Sequence, residues 1–144
     1  MSTRRPGADL DTRAVLLAWA PAAAYMALIF TLSSFRLDLP ELPGVPWRDK
    51  VVHFFEYGML GFLCAHATSR TWPRRPRPRM LALGAFLAAA FGLSDELHQA
   101  FVPGRTAEVL DFVADVLGAS CGAFARGLLG RLATRLRPSK ETPR

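Results

Sequence analysis

Two stretches of this chain gather side chains able to carry charge or move protons, and both lie inside otherwise apolar sequence. The first reads Lys50-Val51-Val52-His53-Phe54-Phe55-Glu56-Tyr57, in which Lys50, His53, Glu56 and Tyr57 recur at helical spacing and share one face. The second reads Asp95-Glu96-Leu97-His98-Gln99, with Arg105 after a Pro103-Gly104 turn and Asp111 and Asp115 following at i and i+4. Carboxylates beside imidazoles can do general acid-base work, with Glu56, Asp95 or Glu96 as base and His53 or His98 as its partner. The same set can bind instead of react. Lys50 and Arg105 suit anionic groups, while Asp95, Glu96 and Gln99 suit hydroxyls, amides or amines. His53/Glu56 and Asp95/His98 also have i,i+3 spacing, but no helix carries a recognised ligand motif, so no metal and no cofactor is assigned.

The elements that must position these groups are membrane helices. Residues 14–35 contain no charge, and about 22 residues at roughly 1.5 Å each reach about 33 Å, enough to span a hydrocarbon core. Three further apolar segments follow, at 51–69, 80–102 and 109 to about 132, joined by short polar or Pro-rich links. They are apolar all round, unlike the one-sided helices of a soluble domain. The expected fold is all-α, an integral membrane four-helix bundle with short loops. Its parts are an N-terminal segment 1–13, a four-helix domain 14–134 and a basic tail 135–144. The first apolar run is too long for a cleaved signal peptide. Cys64 and Cys121 lie within apolar segments and are expected in the core. Thr106 is an expected N-cap for the fourth helix, with Glu108 in its first turn.

The net charge of +6 comes largely from Arg70, Arg74, Arg75, Arg77 and Arg79 and from a basic C-terminal stretch. That placement fits a cytoplasmic membrane face and anionic lipid, not nucleic acid. Counting Lys and Arg in short loops puts both termini and the 70–79 link in the cytoplasm and the other two links outside. Trp47 and Trp72 fall at the outer and inner boundaries, where indoles settle.

In this frame Glu56, Asp95 and Asp115 sit at one depth, roughly 8–10 Å below the outer helix ends. Ser33 and Ser34 join them from the first helix, and the inner halves hold few ionisable groups besides His66 and Arg126. Carboxylates at that depth are too costly to face lipid, so they should turn inward onto a polar pocket opening outward. An interhelical hydrogen-bond cluster that only fixes packing is the plainer alternative. Gly118 and Gly122, a small-xxx-small pair, read as a close helix contact.

Several separated elements carry a family resemblance: Ser33-Ser34, Lys50-x-x-His53-Phe54-x-x-Tyr57, Leu60-Gly61, and Asp95-Glu96-Leu97-His98-Gln99-x-Phe101-x-Pro103-Gly104-Arg105, with Asp111 and Gly118 at matching offsets. On these the chain resembles the VanZ-like family of small bacterial membrane proteins along most of its length. Asp115 stands where members usually carry Asn. The resemblance implies a multi-pass protein of the bacterial cytoplasmic membrane, in a family named for a member associated with low-level teicoplanin resistance. The function expected is binding or modulation of a cell-envelope component, such as a lipid-linked wall precursor or a phospholipid head group. The alternative is a membrane-embedded enzyme acting on a lipid-linked substrate. The bilayer is the expected partner, and the oligomeric state is left open.

Overall fold

The computed structural model describes residues 11–35 and 47–136. They form four helices: α1 (Thr12–Ser33), α2 (Arg48–Thr71), α3 (Arg77–Gln99) and α4 (Val109–Arg135). The expected terminal segments lie mostly outside the described residues, as does most of the α1–α2 link. The helix ends follow local chemistry. Asp11 caps α1 by accepting from the Arg13 backbone N–H at 3.1 Å. Pro76 precedes α3 and Pro78 sits in its first turn, where a missing N–H does no harm. The α3–α4 link turns at Gly104, whose φ of 81° is a left-handed conformation open to glycine. α4 starts at Val109 with Glu108 as N-cap and no side-chain cap, so the expected Thr106 cap does not form. The Glu108 backbone N–H instead donates to Glu96 Oε2 of α3 at 3.1 Å.

α2 is the hub. It packs most extensively on α4, then on α3 and α1, whereas α1 makes no close approach to α4 among the described residues. Small residues make this possible: a Cβ on Gly118 would fall on the Phe54 carbonyl oxygen, and one on Gly122 on that of Gly58. The expected small-xxx-small contact is therefore the α2–α4 seam. The core holds Ala22, Ile29, Tyr57, Leu60, Cys64, Ala88 and Ala119.

Large apolar side chains point outward instead, Phe86, Phe124 and Phe55 among them at 66%, 72% and 69% exposure. α1, α3 and α4 are long and apolar enough to cross a membrane, and only 17%, 33% and 28% of their most apolar stretches are buried within the bundle. Apolar surface turned outward on that scale suits lipid. Four such segments were expected from the apolar runs. α2 falls short because its first three turns carry Arg48, Asp49, Lys50, His53 and Glu56. α3 and α4 take up much of that polarity, through Glu96 for the first and Asp111 and Asp115 for the second. Cys64 is buried as expected, but Cys121 is exposed. Gly118 and Gly122 turn toward α2, which carries position 121 round to the outer surface.

Candidate functional site

The C-terminal ends of α1 and α3 meet the N-terminal ends of α2 and α4 at one end of the bundle, where a cavity of about 210 Å³ opens. Ser33 of α1, Asp95 and Gln99 of α3, and Arg48, Asp49, His53 and Glu56 of α2 line it, with Arg105 from the following link. Ile29, Leu32 and Val52 supply an apolar wall. Asp95 is held from both sides. Its Oδ1 is 2.6 Å from Ser33 Oγ, and its Oδ2 accepts from Gln99 Nε2 at 2.9 Å, an i,i+4 pair within α3. Glu56 and Arg105 are placed differently: neither side chain makes a hydrogen bond or ion pair with another described residue. A carboxylate and a guanidinium therefore both face this cavity with their bonding capacity unspent.

Behind His53 lies a drier cluster. His53 Nδ1 is 2.9 Å from Asp115 Oδ1 and 3.9 Å from Glu96 Oε1, with Asp115 fully buried and Glu96 nearly so. α2, α3 and α4 each contribute one member. Asp115 Oδ2, Glu96 Oε1 and Tyr57 Oη are buried without a hydrogen-bond partner among the described residues. Gly92 makes room, since a Cβ there would press on Asp115 and on the Tyr57 ring at 3.0 Å. One ligand atom from each of His53, Glu96 and Asp115 lies within 4.8 Å of the others. Ligand atoms about 2.1 Å from one ion sit about 3.0 Å apart at a right angle and about 3.9 Å apart at a wide one. The two His53 distances fall in that range, and an imidazole with two carboxylates is a donor set that zinc or manganese takes.

A second acidic group, Asp49, Glu108 and Asp111, has the same compactness. There a cation is already built in: Lys50 Nζ lies 2.5 Å from Asp49, 2.7 Å from Glu108 and 2.9 Å from Asp111.

These placements sort the residues singled out in the sequence. Glu56, Asp95, Gln99, His53 and Arg105 meet at the cavity, while Glu96 and Asp115 back it through His53. Tyr57 is fully buried, with its ring stacked 6.3 Å from that of His53. Lys50, expected to receive anions, and Asp111 are committed to each other on the α4 side. His98 lies away from the cavity lining, stacked on Phe30 at 4.4 Å and within 3.0 Å of Ser34 Oγ. Arg48 was not singled out and lines the cavity. Positions 48, 52 and 56 are successive i,i+4 neighbours, so the face of Glu56 already contained that signal.

The family model described as VanZ/LLP1 matches residues 12–129, which takes in all of α1 to α3 and most of α4. An uncharacterized protein of the fission yeast Schizosaccharomyces pombe is 32% identical over 97 residues, covering 67% of this chain and 57% of that relative. The chain thus spans little more than half of the relative's length. No solved structure matches it.

Proposed function

We propose the following role for this chain, which belongs to the VanZ/LLP1 family: its four helices cross the bilayer together, and its polar end cavity binds the head group of a cell-envelope component. A phospholipid or a lipid-linked wall precursor has the required form, with an acyl chain for the lipid-facing helices and a phosphate beside hydroxyl or amine groups for the cavity. The observation that carries this reading is the pairing in one cavity of Arg105 and Glu56, neither held by another described side chain. Arg105 supports recognition of the phosphate, and Glu56 with the Ser33-bound Asp95 supports recognition of donors such as ammonium or hydroxyl. The fungal relative favours a head group common to bacterial and fungal membranes, a phospholipid, over one confined to bacterial walls. Where a wall precursor is the ligand, altered exposure of that precursor would be the route to glycopeptide resistance.

Orientation follows from the basic residues. The arginine-rich 70–79 link lies at the opposite end of the bundle and belongs in the cytoplasm, so the cavity opens outward.

The His53–Asp115 pair supports a second reading, a membrane-embedded enzyme. A buried carboxylate orients the imidazole through Nδ1 while His53 borders the cavity, an arrangement suited to proton transfer. Incubating the full chain in nanodiscs with envelope lipids separates the two readings. Binding that weakens in Arg105→Ala with no new lipid product supports recognition. A product that disappears in Glu96→Gln, with the protein still inserted, supports catalysis instead.

A further inference from the structure

At the other end of the bundle, α2 ends, α3 begins and α4 runs out around a larger cavity of about 470 Å³. Arg70, Arg75, Arg77 and Arg126 line it, together with Trp72 and Gly130, and no Asp or Glu is among its lining residues. The described acid at that end, Asp11, is occupied in capping α1.

These arginines are not all spread into water as topology alone would require. Arg77 Nη2 donates to the Gly127 carbonyl at 3.1 Å, and Arg126 Nε donates to His66 Nδ1 at 3.2 Å. Both guanidiniums are thereby drawn in between the helices, and they converge. A Cβ on Gly130 would collide with the Arg77 guanidinium and lie 2.9 Å from Arg126 Nη1. The bare backbone at Gly130 is what admits the two cations side by side. Bringing like charges together between helices costs free energy unless an anion bridges them. Each guanidinium has five N–H donors and uses one here, so a fork of donors remains on each, the geometry that suits phosphate oxygens. Arg77 also opens α3, so the positive end of that helix dipole adds to the same field.

The level of the cavity indicates the source of the phosphate. Trp72 closes α2 as its C-cap at 39% exposure, and Trp19 of α1 donates through Nε1 to Thr71 Oγ1 at 2.9 Å. Two indoles beside the cavity place it where the hydrocarbon gives way to head groups. We propose that the Arg77–Arg126 cavity binds the phosphate of an anionic membrane phospholipid, fixing the basic end of the bundle to the anionic leaflet. The site is independent of the cavity at the opposite end, so either assignment can fail without the other.

The test uses the full chain in detergent with phosphatidylglycerol, phosphatidylcholine or inorganic phosphate, read by native mass spectrometry and by thermal stabilisation. With Arg105→Gln present throughout to silence the opposite cavity, the expected result is retention of phosphatidylglycerol over phosphatidylcholine, falling about tenfold or more in Arg77→Gln/Arg126→Gln as charge-assisted bonds are lost. Arg79→Gln removes one positive charge from the first turn of α3, outside the cavity lining, and should bind as the parent does. Should the double variant not fold, Arg75→Gln at the exposed rim should still weaken retention measurably. Equal retention in the cavity variants, equal loss in Arg79→Gln, or stabilisation by inorganic phosphate with no lipid retained would each overturn the proposal.

Discussion

His53 Nδ1 and Asp115 Oδ1 stand 2.9 Å apart across the α2–α4 seam, with Asp115 at zero exposure and its second oxygen already without a partner among the described residues. Removing the imidazole by His53→Ala would leave both carboxylate oxygens unmatched. The expected cost is about 1–3 kcal/mol, whereas Asp115→Asn, which keeps an oxygen acceptor and the shape, should cost about 1 kcal/mol or less. Denaturant titration of the detergent-solubilised chain, read by near-UV circular dichroism, measures the difference. Similar losses in the two variants would mean that the pair contributes little.

The α2–α4 seam depends on the absence of side chains at two positions. A Cβ at Gly118 or Gly122 meets carbonyl oxygens of α2, which cannot swing aside as a side chain does. Gly122→Val should therefore destabilise the bundle by about 2 kcal/mol or more. Gly92→Ala presses at 3.0 Å on the side chains of Asp115 and Tyr57, which can shift, and should cost less. Thermal unfolding of the two variants side by side gives the ranking.

Lys50 acts as the resident cation of the Asp49, Glu108 and Asp111 group. Lys50→Met would leave three carboxylates facing one another, and a loss of about 1–2 kcal/mol is expected, scaled down because Asp49 and Glu108 are half exposed. Millimolar calcium should restore much of that loss in the variant, since three clustered carboxylates offer the oxygen ligands it takes. The parent, with Lys50 in place, should respond little.

The orientation assigned from basic residues has its own check. With Cys64 and Cys121 replaced, single cysteines at positions 105 and 75 should label from opposite sides of the membrane. A membrane-impermeant thiol reagent added to intact cells should reach 105 and not 75. The reverse pattern would place the polar cavity in the cytoplasm and redirect the search to cytosolic ligands.

Much of this architecture was legible because apolar runs of spanning length leave few alternatives, and α4 starts at Val109, where the fourth apolar segment was expected to begin. That Glu56, Asp95 and Asp115 gather at one end of the bundle was legible for the related reason that they interrupt those runs near the same helix ends. What was not legible is how each helix is rotated about its axis. Lys50 and His53 share one face of α2, yet Lys50 is taken by Asp111 and His53 by Asp115, one turn apart on α4. His98 belongs to the signature around Asp95 but is turned to Phe30 of α1. Spacing along a chain reports which residues share a face and not which neighbour that face meets. Cys121 shows the same limit: an apolar context put it inside a helix, and only the Gly118–Gly122 contact decides that it faces out.

Head-group recognition at the polar end is tested most directly by lipid binding to the full chain and to Arg105→Gln and Glu56→Gln. Both residues line the cavity and are bonded to no other described side chain, so each substitution should leave folding nearly unchanged. With the basic-end cavity removed by Arg77→Gln/Arg126→Gln, retention of a bound phospholipid, followed by native mass spectrometry, should fall about tenfold on adding Arg105→Gln. Glu56→Gln should weaken amine-bearing head groups selectively. Undiminished retention of every head group in both variants would contradict the account and leave the polar cluster with a packing role alone.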